Sequence, residues 1–158
     1  MRALPNLPPD VPDLERLESL LCALEPDATP RWGVMGPAAM VAHCVAFADL
    51  CLGRVPVSWP LRCVARLLGP WFVRRLVSRS VQQAPRGMTT LRQLRTDGGG
   101  VELAAAQAEL SERWRALQAL PAEHRHPLYG RMRSQDVRAL VRHHTAHHAN
   151  QFGLLGAR

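Results

Sequence analysis

An all-α bundle of four principal helices is the fold this sequence predicts, and three observations carry the prediction. Apolar residues recur at helical spacing in four separate stretches, no stretch alternates with the two-residue period of a strand, and most prolines and glycines fall between those stretches. The 158 residues, 47% of them hydrophobic, suit one domain with a full core.

Residues 1–12 carry prolines at 5, 8, 9 and 12 and predict an extended N-terminal arm, with a single helical-bundle domain over 13–158. The first helix follows from Asp13 to Leu24, where leucines at 14, 17, 20, 21 and 24 form one buried stripe. Glu25 to Pro30 ends it. Gly36 and Pro37 open the second helix, whose apolar ladder runs Met40, His43, Cys44, Phe47, Leu50 and Cys51. A histidine inside that ladder is an anomaly.

Trp59 to Gln83 is a helical excursion between the second and third bundle helices, with Leu61, Val64, Leu67, Leu68, Trp71, Phe72, Leu76 and Val77 set among arginines. Pro70 predicts a break or kink there. Taken alone the segment resembles a membrane-surface helix. The reading adopted is a bundle-flanking helix pair with solvated arginines. Gln82 to Gly100 is loop-rich and is the expected lid or mobile connection. Val101 to Leu117 has no breaker and buries Leu103, Ala106, Leu110, Trp114 and Leu117. Pro121 to Arg133, with His126-Pro127-Leu128-Tyr129-Gly130, reads as a loop into the last helix, which Ser134 caps and Gly153 stops.

All twenty basic residues are arginine, for a formal charge of +7. Nine of them and no acid lie between Asp49 and Asp97, so the remainder of the chain nets −2. Local basicity suits an acidic ligand, a nucleic-acid backbone or a membrane surface. No helix-turn-helix, zinc-finger or aromatic stacking motif accompanies it, so neither a specific nucleic acid nor a membrane is expected as partner. Cys22, Cys44, Cys51 and Cys63 show no Cys-x-x-Cys spacing, and neither a signal peptide nor an apolar span of about 18 residues is present. A reduced, cytoplasmic protein with packing thiols is the expectation.

The chemistry concentrates in Arg142 to Gly153, which holds four of the seven histidines. At about 100° per residue, Val137, Leu140, Val141, His148, Gln151 and Leu155 fall within about 60° of His144. His147 lies at the margin and His143 about 100° away. Two imidazoles one turn apart on an apolar face need partners, and a metal ion supplies one to both. With His43 in the other anomalous position, three ligands are at hand.

Trp32-Gly33-x-Met35, Met40-Val41-Ala42-His43-Cys44, His126-Pro127-x-Tyr129-Gly130 and His144-x-x-His147-His148-x-x-Gln151-Phe152-Gly153, in that order, resemble the DinB-like superfamily, in particular its uncharacterised branch ending in a histidine-rich helix. The resemblance implies a four-helix bundle, often dimeric, holding zinc or nickel on three histidines, which match His43, His144 and His148. It implies roles around the ligands for His147, Gln151 and His126, with loop anchoring as the alternative for His126. His143 stands where close relatives carry a bulky residue, which leaves a shifted ligand pair as an alternative. The implied function is a divalent-metal-dependent enzyme on a small-molecule substrate, such as a transferase using a low-molecular-weight thiol of the mycothiol or bacillithiol type. The alternative is a non-catalytic, metal-stabilised bundle acting in stress or partner binding. Trp32 and Trp114 are expected in the core.

Overall fold

The structure is a computed structural model that describes residues 3–87, 94 and 100–156. It is mostly helical. Helix α1 (Leu14–Cys22) starts at Asp13, whose carboxylate accepts the Arg16 amide at 2.8 Å. Helix α2 (Pro37–Leu52) has Pro37 in its first turn and closes at Gly53, which adopts a φ of 83° that a side chain would resist. Helix α3 (Trp59–Val77) runs through Pro70 without breaking. The missing Pro70 N–H leaves the Arg66 carbonyl without its helical donor, yet flanking turns hold the helix together. A short 3-10 turn follows at Val81–Gln83. Helix α4 (Leu103–Gln118) and helix α5 (Ser134–Gln151) complete the helical set.

Two expectations are corrected. The stretch before α5 is not a plain loop: strand β1 (Glu123–His126) pairs antiparallel with strand β2 (Gly130–Arg133), so the molecule is not purely α. In that register Glu123 faces Arg133 and Arg125 faces Arg131, while Met132 and His126 are buried. Ser134 is the first helical residue of α5 rather than its cap. Its hydroxyl donates to the Pro121 carbonyl and its amide to that of Ala122, tying the helix to the hairpin.

The core explains why α5 holds the middle position. Helix α5 touches all four other helices, the 3-10 turn and both strands, and α2 packs most extensively on α4. Leu17 and Leu21 of α1, Met40, Val41, Cys44 and Ala48 of α2, Leu110, Trp114 and Leu117 of α4, and Val137, Leu140 and Val141 of α5 fill one cluster. Each such leucine contributes about 1.5–3 kcal/mol by leaving water. Asp49 joins α2 to α4 through Arg113 at 3.0 Å. The N-terminal residues lie along α5: the Leu4 amide donates to Asp136, and Arg142 donates to the carbonyls of Val11 and Pro12.

All four cysteines are unpaired. Cys44 and Cys51 are core residues whose thiols burial pushes up, that of Cys44 to about 12. Of the expected lid at 82–100, residues 88–93 and 95–99, with Arg92 and Arg95, lie outside the described residues. Among the described residues, no helix is long and apolar enough to cross a membrane.

Candidate metal centre

The three histidines that interrupt apolar stripes meet where α2 crosses α5. His43 is carried in by the ladder that seats Met40 and Cys44 in the core, and His144 and His148 lie one turn apart on the α5 face that buries Val137 and Val141. One ligand atom from each of the three lies within 4.8 Å of the others. Their ring centroids are 5.0, 4.9 and 4.7 Å apart. Two nitrogens held about 2.0–2.1 Å from a tetrahedral ion sit about 3.4 Å from each other. The widest pair allowed by the 4.8 Å limit would therefore close by about 1.4 Å, within reach of modest side-chain rotation.

Hydrogen bonds fix two of the tautomers. His43 Nδ1 lies 2.8 Å from the Leu94 carbonyl oxygen, which can only accept, so Nδ1 carries the proton. Gln151 donates its amide N–H to the Trp32 carbonyl at 2.7 Å, which turns its amide oxygen toward His148 Nδ1 at 2.9 Å. That nitrogen is again the donor. In both rings Nε2 keeps the lone pair a cation needs. His144 stacks face to face on Phe47, with centroids 3.8 Å apart, and its buried Nδ1 has no hydrogen-bond partner among the described residues.

Electrostatics favour neutral rings. Burial lowers the His43 pKa against the opposing pull of the Leu94 carbonyl, and lowers that of His148 to about 3. His144 is pushed well below the ordinary imidazole range, first by burial and then by the neighbouring histidines. A neutral imidazole is the form that binds metal. The donor set, the fixed protons and the orphaned His144 nitrogen therefore fit a divalent cation, and the cluster could hold one.

The other candidates separate. His147 lies beside the cluster, 5.3 Å from the His148 ring and edge-on to Trp32 at 6.0 Å. The Arg86 guanidinium covers the Trp32 ring at 4.3 Å. Trp32 thus flanks the histidines instead of joining the core, whereas Trp114 is buried in the core. Gln151 contacts His148 directly. His126 anchors the hairpin: its Nδ1 accepts the amides of Leu128 and Tyr129, and its ring stacks on Tyr129. Among the described residues its hydrogen bonds and ring stacking stay in that turn, and its Nε2 is buried without a partner.

His143, the shifted alternative, points elsewhere. It is buried with Nε2 donating to the Arg79 carbonyl at 2.9 Å, on the flank of α5 that faces the end of α3. It is not among the three clustered histidines.

Sequence reasoning missed Phe47, the Leu94 carbonyl and Arg86. Phe47 was legible, one turn after His43 on the same ladder. A backbone acceptor and a loop guanidinium leave no periodic signal. Comparison with known proteins adds nothing to this geometry: no protein-family model, curated protein or solved structure matches the chain.

Proposed function

We propose that the chain is a divalent-metal-dependent enzyme of the DinB-like kind, with His43, His144 and His148 holding zinc or nickel and a low-molecular-weight thiol among its substrates. The supporting observation is the convergence of three neutral imidazoles from two helices, two of them with Nδ1 protons committed to fixed acceptors. Three ligands leave at least one position on a four-coordinate ion for a substrate atom, the arrangement of catalytic rather than closed sites. When bound, such an ion supplies Lewis acidity that polarises a carbonyl and lowers the pKa of a thiol or water.

The chain's own residues set the surroundings. Phe47 walls one side of the cluster with an apolar face, and Gln151 holds His148 in one orientation through Trp32. His147, its pKa lowered by burial and then by His143 and Arg86, is neutral at pH 7 and can accept or donate a proton beside the cluster. Arg86 provides a cation for a carboxylate-bearing thiol.

A second reading, a non-catalytic metal-stabilised bundle, has one observation in its favour. His43 and His148 are only 4% and 7% exposed, so little of the cluster faces solvent where a substrate could reach it.

Metal content by mass spectrometry separates these outcomes in order. One ion per chain in the wild type and in His143→Gln, absent from His43→Ala, His144→Ala and His148→Ala, supports the three-histidine centre. Folded wild-type protein that takes up neither zinc nor nickel refutes it. With the centre in hand, turnover of thiol and electrophile pairs that disappears in the same three variants supports the enzyme, and a loaded protein that perturbs no added thiol supports the second reading.

A further inference from the structure

Helix α3 is built inside out. Its inward stripe is Gly69, Val73 and Val77, and Gly69 is set so close to the hairpin that a Cβ there would lie 2.5 Å from the Tyr129 ring. At about 100° per residue the opposite face holds Val64, Leu67, Leu68 and Trp71, all within about 100° of arc. Their spacing of i, i+3, i+4 and i+7 is that of a buried seam. They are instead 56%, 80%, 60% and 68% exposed, and Phe72 beside them is 41% exposed. Few soluble surfaces present so continuous an apolar strip.

Charge identifies what covers it. At the C-terminal end of the strip Arg74 borders it, with one N–H donating to the Ala3 carbonyl, and Arg75 continues its arc; Arg62 and Arg66 are exposed on the other side of the helix, and residues 50–96 contain no acid. The Arg75 guanidinium lies 5.8 Å from the centre of the Trp71 ring, at the border between the apolar and cationic surfaces. Among the described residues, no carboxylate pairs with Arg62, Arg66, Arg74 or Arg75. A second copy docking here would bring two such cationic helices together with no acid on either to neutralise them. An anionic lipid surface neutralises the arginines with headgroup phosphates and takes up the leucines and Trp71 at the acyl boundary. The exposed Trp71 suits that amphipathic layer. The helix is too polar to cross a membrane, so it would lie in the plane of the interface.

We infer that the outer face of α3 is a docking surface for anionic membranes, with Val64, Leu67, Leu68 and Trp71 inserting and Arg74 and Arg75 holding headgroups. The test is co-sedimentation of the full chain with vesicles of phosphatidylcholine alone and of phosphatidylcholine with phosphatidylglycerol in equal parts. The wild type is expected to sediment with the anionic vesicles only. An arginine at the surface contributes about fivefold in binding, so Arg75→Gln loses about fivefold and the Arg74→Gln, Arg75→Gln pair about thirtyfold. Leu67→Glu is expected to lose at least about tenfold, because it places a carboxylate at the point of insertion. Trp71→Ser is the second apolar variant should Leu67→Glu change the far-ultraviolet circular dichroism. Three results overturn the inference: no sedimentation with anionic vesicles, self-association in solution that Leu67→Glu abolishes while vesicles go unbound, or vesicle binding that Leu67→Glu and Trp71→Ser leave intact and that duplex DNA reproduces. The last marks undirected charge.

Discussion

Replacing Gln151 with leucine removes the side chain that accepts the His148 Nδ1 proton and leaves all three candidate ligands in place. In the wild type the Gln151 amide oxygen accepts from His148 Nδ1 at 2.9 Å and its N–H donates to the Trp32 carbonyl at 2.7 Å. Leucine has nearly the same volume and neither bond. Residues that orient a ligand histidine are worth about 10- to 100-fold in metal affinity, or about 1.4–2.8 kcal/mol. The metal-free protein also loses stability, because His148 Nδ1 is left buried without a partner, at about 1–3 kcal/mol. Gln151→Glu restores the acceptor but not the donor, so it should recover affinity more than stability. Competition titration with a chromophoric zinc chelator measures the first quantity and chemical denaturation of the metal-free protein the second. Unchanged zinc affinity in Gln151→Leu, alongside lost affinity in His148→Ala, would refute the argument that this hydrogen bond fixes the His148 tautomer.

Other predictions probe the neighbouring supports. Gly33 has a φ of 82°, and a Cβ there would lie 2.6 Å from the Gln151 amide nitrogen. Gly33→Ala should therefore weaken zinc binding without touching a ligand, and unaltered affinity would sever Gly33 from the site. In Gly69→Ala a gain of about 1 kcal/mol in helix propensity meets a clash with the Tyr129 ring costing about 1–3 kcal/mol, so net destabilisation is expected on urea denaturation. The His126 pKa falls from 6.5 to about 3, through burial first and then His124. The folded state thus refuses a proton that the unfolded chain takes up below pH 6.5, and stability is lost as pH falls from there toward 3. By pH 5 this amounts to roughly 2 kcal/mol, added to losses of the same sign from His43, His144 and His148. Melting temperatures of the metal-free protein should drop from pH 7 to 5, and a flat profile would contradict neutral buried rings. Asp49→Asn should cost about 1 kcal/mol by releasing Arg113 of α4 from α2.

The histidine cluster was legible because burial and helical period coincide: a polar residue falling on an apolar stripe announces itself, as His43, His144 and His148 do. The same wheel put His143 off the face and could not say that it, too, is buried, because an angle does not reveal what covers a flank. There the cover is the backbone around Arg79. The hairpin was hidden for a different reason. Each strand is four residues long, and Glu123, Arg125, Arg131 and Arg133 give it a solvated character that only their cross-strand pairing organises. Helical structure at α3 was visible, but not that it is one helix: Pro70 was expected to break or kink it into a pair, and the chain runs helically through it; nor was its orientation, since apolar spacing predicts a face and not the direction that face takes.

The acceptors behind His43 and His148 differ in how mutation can reach them. Every residue type offers a main-chain carbonyl, so no single substitution at position 94 deletes the acceptor of His43; removing it takes a shift in the path of the chain. The acceptor of His148 is a side chain, and one codon change at Gln151 can abolish it or exchange the amide for a carboxylate. The candidate centre thus has one histidine insulated from point mutation and one open to it, so adjustment of any metal affinity, whether by selection or by design, runs through position 151.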